Sequence, residues 1–253
     1  MRNNLFVSII TTVFNNKETI EDTIKSVLSQ RYPNIEYIVI DGGSTDGTVD
    51  IISKYKDRIS KFVSEKDRGI YDGLNKGIKM AGGEIIGILH SDDVYADNKV
   101  IEKVVTEMTG RNLDVCWGDL VYVSRNNQEK VIRYWKSSEY KEGKFKRGWM
   151  PPHPTLFIKR YIYERYGRFN LDFPIAADYE LILRFLEKCK VKSCYIPQTL
   201  VKMRIGGESN KNIKNIIKAN IECYRAWKIN GLKINPLKIL LKPLLKIPQY
   251  FKR

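Results

Sequence analysis

The sequence predicts an α/β protein, with a mostly parallel central sheet covered by helices on both faces and a helical C-terminal extension. Three observations lead there. Over the first hundred residues, short β-branched apolar runs alternate with segments of helical periodicity, as strand–helix–strand units do. Each of those runs stops abruptly at polar or glycine-rich residues. Beyond about residue 110 the alternation gives way to shorter runs and then to helices.

LFVSIITTVF (5–14) is a continuous apolar run, as expected of a strand buried on both faces. Residues 17–29 then space Ile20, Ile24, Val27 and Leu28 as one helical face. IEYIVIDGG is the second strand and Thr48 to Tyr55 the next helix. ISKFVSE is the third strand, followed by a helix from about Ile70 to Ala81 that Gly82-Gly83 terminates. EIIGIL (84–89) is the fourth strand, and residues 98–108 the fourth helix. LDVCWGDLVYV and KVIRYW read as shorter, antiparallel strands, and GWMPPHP (148–154) as a loop. Helices are expected near 159–166, 178–188 and 211–229. No repeat or low-complexity linker divides the chain. The simplest organisation is a catalytic domain over 1–210, split near residue 110 into two halves, and an extension over 211–253.

The chain has 253 residues and a net charge of +15, unevenly placed. Residues 1–100 carry −2 and the remainder +17, so the second half expects an anionic partner: nucleic acid, an acidic membrane or a phosphorylated substrate. Cys116, Cys189, Cys194 and Cys223 have no zinc-site spacing and read as reduced thiols of a cytosolic protein. No signal peptide is visible, and no segment approaches a membrane span.

Ligands of open α/β sheets bind at the carboxyl ends of the strands. There this chain places Thr11 to Asn15, Asp41 to Ser44, Glu65 to Asp67, and His90 to Asp93. In LHSDD, adjacent carboxylates beside a histidine suit a hard divalent cation and, through it, a diphosphate. A capped turn would use the same residue types. In DGGSTDGT (41–48), Asp41 can accept from a base or a ribose, and the glycines admit a flat ring. The same segment also reads as a turn that caps the helix from Thr48. The GxGxxG and GxxxxGK[ST] fingerprints are absent, which argues against NAD and P-loop chemistry.

With VSIITTVFN, DGGSTDGT, SEKDRGIYDGLNKGIKMAGGEIIGILHSDD and IAADYELILRF in this order, the chain resembles the inverting family 2 glycosyltransferases of GT-A fold, of the bacterial surface-polysaccharide type. The matching segments span about residues 5–186. The resemblance implies a nucleotide-sugar donor, in the first instance a UDP-sugar, and Mn²⁺ or Mg²⁺. It implies Thr11 and Asn15 at the donor pocket, Asp41 on the base, and Asp67, Arg68 and Asn75 along the nucleotide-sugar site. Asp92 and Asp93 match the acidic motif that holds ribose and metal, and Asp178 matches the catalytic base. His90 stands where that motif usually has its first Asp, and is taken as a further metal ligand.

Elementary chemistry agrees with these roles. A divalent ion stabilises the charge that develops on a departing diphosphate. An acceptor hydroxyl must lose its proton as it attacks, and a positioned carboxylate can take it. Asp178 also suits a helix N-terminus for purely structural reasons. His153 in PPHP and Arg204 before Gly206-Gly207-Glu208-Ser209 are candidates for diphosphate or acceptor contact, with a structural hydrogen bond or an ordinary turn as the alternatives. Trp117, Tyr122 and Trp149 are expected in the core.

From Cys223 onward there is no acidic residue. Lys238, Lys242 and Lys246 share a helical stripe beside leucines, interrupted by Pro243 and Pro248. This basic amphipathic pattern suits an anionic membrane surface. The expectation is a transferase acting on a saccharide or polyprenyl-linked acceptor, peripheral on the inner face of the cell membrane, with no nucleic-acid partner. The competing readings are a basic nucleic-acid-binding protein, against which no such motif is found, and a catalytically idle saccharide-binding relative.

Overall fold

The computed structural model describes residues 5–206 and 213–236. Four parallel strands, β1 (Val7–Val13), β2 (Ile35–Asp41), β3 (Lys61–Ser64) and β4 (Ile85–Ile88), stand in the order β3-β2-β1-β4. They match the four strands expected from the sequence. Helices α1 (Ile20–Leu28), α2 (Thr48–Ser53) and α3 (Ile70–Met80) connect them, and α4 (Val100–Gly110) follows β5 (Asp93–Tyr95). Period-two alternation divides the strands between two cores. Val7, Ile9 and Val39 face the layer of α1 and α4, whereas Ile10, Ile38 and Ile40 face Leu74 and Ile78 of α3.

The sheet then becomes mixed. β6 (Val115–Ser124) pairs antiparallel with β7 (Asn127–Trp135) and with β8 (Phe157–Lys159), and β8 lies antiparallel to β4. β9 (Ser193–Arg204) runs parallel to β6 and pairs antiparallel with β5. Three of these strands are not readable as periodic runs. β5 and β8 are only three residues long. β9 contains Pro197, which a central strand tolerates only at an irregularity. One occurs there: Trp117 and Asp119 of β6 pair with Tyr195 and Thr199.

α5 (Arg160–Tyr166), α6 (Ala177–Leu183) and α7 (Ile213–Ile229) cover the α3 face. α6 runs on into a π-turn over Arg184–Lys188. The helix expected in the C-terminal extension is α7, and its described part belongs to the same core. Cys223, Ala226 and Trp227 are buried, and the Trp227 indole donates to the Tyr179 hydroxyl at 2.8 Å. Glu222 accepts from the backbone N–H groups of Ile175 and Ala176 at 3.0 and 2.8 Å. α7 thus packs onto the same core as α3 and α6. The expected basic amphipathic tail beyond Pro236 and the Gly207–Ser209 part of the late loop lie outside the described residues. All four cysteines are free thiols, and Trp117 is fully buried. Among the described residues no helix is long and apolar enough to cross a membrane.

Removing a fully buried indole costs about 3–5 kcal/mol. Trp227→Ala is expected to lose that much stability in urea denaturation; a loss below 1 kcal/mol would mean that α7 is not docked as described.

Candidate functional site

Because β1, β2, β3 and β4 are parallel, the loops that follow them gather at one edge of the sheet. Asn15 adopts a positive φ of 46°, which Asn tolerates better than most residues. Its side chain accepts from the Thr45 N–H at 2.9 Å, and its own N–H donates to Ser44 Oγ at 2.7 Å. Asp46 accepts from the N–H of Thr48 at 3.0 Å and of Lys17 at 3.1 Å. The first and second loops are thereby tied together.

Asp41 closes β2 with its carboxylate inside. Oδ2 accepts from the N–H groups of Gly43 and Ser44, at 3.1 and 3.0 Å, and from the Ser64 hydroxyl at 2.6 Å. Oδ1 is buried and has no hydrogen-bond partner. Gly43 turns the chain here with a φ of 87°, a region that favours glycine. Asp67 stands beside it, its Oδ1 accepting from the Gly69 N–H at 2.9 Å. A Cβ on Gly42 would come within 2.9 Å of Asp67 Oδ2, and one on Gly73 within 3.1 Å. Both glycines make room for that carboxylate. Arg68 is exposed and pairs with Asp72 at 3.6 Å.

The turn after β4 is held from three sides. The Ser91 carbonyl accepts from Asn16 Nδ2 at 3.2 Å and from Thr19 Oγ1 at 3.0 Å. The Asp93 carbonyl accepts from Thr23 Oγ1 at 2.8 Å. The Asp92 carbonyl accepts from Arg204 Nη1 at 2.7 Å. Held in this way, the two carboxylates part. Asp92 keeps some exposure, whereas Asp93 is fully buried with neither oxygen partnered. Burial raises the Asp92 pKa, opposed by the Arg204, Arg125 and His153 charges. Burial, reinforced by Asp92, raises Asp93 well above the usual carboxylate range.

His90 turns the other way, into a cavity of about 70 Å³ shared with Tyr71, Leu74, His153, Phe169 and Asp178. Its ring lies 5.5 Å from that of His153. Burial and the His153 charge push its pKa down to about 3, so it is neutral near pH 7. Asp178, the second residue of α6, has its Oδ2 3.3 Å from His153 Nδ1 and its Oδ1 3.3 Å from the Tyr71 hydroxyl, which donates at 2.9 Å to the Ile175 carbonyl. The Asp178 side chain is 20% exposed and that of His153 31%, so both reach solvent.

Asn15, Asp41, Asp67 and Asp92 thus gather at one sheet edge, with His90, His153 and Asp178 beside them. Four of the expected site residues are placed differently from the rest. Thr11 is fully buried on the opposite face of β1, where Tyr37 donates to it at 3.2 Å; Thr12, one residue on, faces Gly73. Both ends of the Asn75 amide are committed to the Phe169 backbone, at 2.9 and 3.0 Å. Arg204 belongs to β9 rather than to a loop. It is 4% exposed, and besides Asp92 it bonds the Asp22 carboxylate and the Arg125 carbonyl, so it braces the turn. Asp93 is fully buried beneath the turn.

Sequence reasoning named Thr12 at the strand end but chose Thr11 for the donor pocket, and it missed Tyr71, Asn16 and Glu222. Strict alternation along β1 would have separated Thr12 from Thr11; the other three carry no local signal. Among the described residues no three His, Cys, Asp or Glu side chains form a metal-binding group. A Mg²⁺ ion held largely by substrate phosphates and water needs only one or two carboxylates. Asp92 fits that requirement.

Residues 8–167 match the model of glycosyl transferase family 2. The chain belongs to that family. This family 2 glycosyltransferase is 35% identical over 187 residues to an uncharacterised glycosyltransferase of Mycobacterium tuberculosis, covering 73% of this chain and 70% of the relative. It is 31% identical over 247 residues to the UDP-Glc:alpha-D-GlcNAc-diphosphoundecaprenol beta-1,3-glucosyltransferase WfaP of Escherichia coli, covering 89% and 94%. Its fold is that of TarS from S. aureus (TM-score 0.68, 16% identity, 95% of this chain and 71% of that one). It is also that of the mannosyltransferase PcManGT from Pyrobaculum calidifontis, solved with GDP-Man and Mn²⁺ (TM-score 0.65, 20% identity, 97% and 69%). The fold is GT-A.

A buried acid with a raised pKa contributes stability that is present at low pH and lost as pH rises above the unfolded value. Asn does not titrate. The thermal midpoint of Asp93→Asn relative to wild type is therefore expected to climb between pH 4 and pH 7; a pH-independent difference would contradict a protonated, buried Asp93.

Proposed function

We propose that this glycosyltransferase inverts, taking a hexose from a UDP-sugar with Mg²⁺ or Mn²⁺ and adding it to a lipid-linked or growing saccharide in cell-surface polysaccharide synthesis, peripherally at the inner face of the cell membrane. The observation that carries this reading is the position of His153. Its ring contacts the Asp178 carboxylate and lies 5.5 Å from the ring of His90, in the turn that carries Asp92. A base candidate and the turn of the candidate cation ligand, 86 positions apart in sequence, thus meet at one histidine.

On this reading the donor lies along the sheet edge. The unpartnered Oδ1 of Asp41 accepts an N–H of the base, and Asn15, Asp67 and Arg68 line the remainder of the donor site. Asp92 would hold the cation, which when bound neutralises charge on the departing diphosphate. Asp178 accepts the proton of the acceptor hydroxyl as its oxygen bonds to the anomeric carbon. The bond from that carbon to the diphosphate oxygen breaks on the opposite face, which inverts the configuration. Tyr71 and His153 fix the orientation of Asp178. The UDP-sugar donor, the lipid-diphosphate acceptor and the beta linkage in the name of the Escherichia coli relative support the same reading.

Loss of a general base costs about 10²–10⁴-fold in rate. Asp178→Asn is expected to lower kcat by that factor while UDP binding with Mn²⁺, followed by calorimetry, stays within a few-fold of wild type. Asp92→Ala is expected to abolish the metal dependence of UDP binding. Full turnover by Asp178→Asn would remove the base assignment.

A further inference from the structure

The outward face of α7 plays no part in the chemistry above, and its composition is unusual for a solvated helix. Ile217, Ile221 and Ile229 are 55%, 56% and 52% exposed. Ile217, Ile221 and Lys228 fall at i, i+4 and i+11, so they share one stripe of the helix. Lys218 and Arg225 flank that stripe and are exposed as well. The one acidic residue of α7 is Glu222, which is buried and turned inward onto the Ile175–Ala176 backbone. Outward, α7 therefore presents branched aliphatic side chains among cations and no carboxylate.

We infer that this face of α7 is a membrane-docking surface that lies on an anionic phospholipid bilayer. An interfacial helix needs apolar side chains long enough to enter the acyl boundary and cations beside them for the lipid phosphates. The isoleucines and the Lys218, Arg225 and Lys228 set supply both. The second half of the chain, at +17, is complementary to such a surface as a whole. The segment beyond Pro236 is basic as well. The inward side of the helix adds a consequence. Glu222 holds the backbone that leads into Asp178, and Asn230 Nδ2 donates at 2.9 Å to Glu180 of α6, the helix of Asp178. A bilayer that orients α7 also orients the base toward an acceptor carried in that bilayer. This last step rests on the lipid-linked acceptor proposed above; the docking surface itself does not.

The test is flotation of the full chain with vesicles of phosphatidylglycerol and phosphatidylcholine, against phosphatidylcholine alone. Ile217→Asp with Ile221→Asp, and separately Lys218→Glu with Lys228→Glu, are expected to lower binding to the anionic vesicles at least tenfold. Thermal midpoints and metal-dependent UDP-sugar hydrolysis are expected to stay at wild-type levels. Lys238→Glu with Lys242→Glu serves as the comparison in the tail. Undiminished binding by both α7 variants would overturn the proposal, whether or not the tail variant loses binding. A thermal midpoint lowered by the isoleucine pair would overturn it too, since the face would then be covered by the chain itself. Donor hydrolysis is read separately, so a failure of the catalytic reading is told apart from a failure of the surface.

Discussion

The turn after β4 is the constraint on which the rest of the site depends. Two adjacent carboxyl groups in a partly buried place are costly to ionise together. The chain meets this by fixing the backbone. Asn16, Thr19 and Thr23 hold the Ser91 and Asp93 carbonyls from the side of the first loop and α1, and Arg204 holds the Asp92 carbonyl from β9. With four side chains fixing that backbone, Asp92 stays at the cleft, Asp93 enters the interior and His90 turns toward Asp178. A divergence of this kind cannot be read from the string LHSDD, because it is set by donors up to 112 positions away.

What was legible follows from the range of the forces involved. Parallel strands buried on both faces write themselves as apolar runs, so β1 to β4 and the helices between them stand out, as do the polar strand ends where ligands bind. Asp41 could be singled out because it closes a strand, whereas Asp67 and Asp178 were singled out through the family resemblance. The mixed half was harder. β9 carries Pro197 and polar residues through an irregular register, and its partners β6 and β5 lie about 80 and 110 positions away. Thr11 and Asn75 match the family pattern in sequence, yet Thr11 faces the core and Asn75 is bonded to the Phe169 backbone. A motif specifies residue type and spacing, whereas alternation and long-range bonding decide which side chain meets the ligand.

The two ends of the parallel sheet also differ in character. At the amino end, the buried Glu36 carboxylate gathers Lys61 at 2.6 Å, Ser8 at 2.5 Å and the Gly82 N–H at 2.8 Å, joining three strands and the end of α3. Its acceptors are used. At the carboxyl end, Asp41 Oδ1, Thr12 Oγ1 and His90 Nδ1 remain buried and unpartnered. Leaving a buried acceptor unsatisfied costs about 1–3 kcal/mol. That such atoms stand together at the edge where α/β sheets bind ligands is consistent with a bound donor that satisfies some of them.

The central claim is attack on the anomeric carbon from the face opposite the diphosphate, with Asp178 as base. The most direct measurement is the anomeric configuration of the product formed from an α-linked UDP-hexose, read from the proton coupling of the new linkage by NMR. A β linkage is expected. An α linkage would contradict it, since retention requires a different course of attack from the one assigned to Asp178.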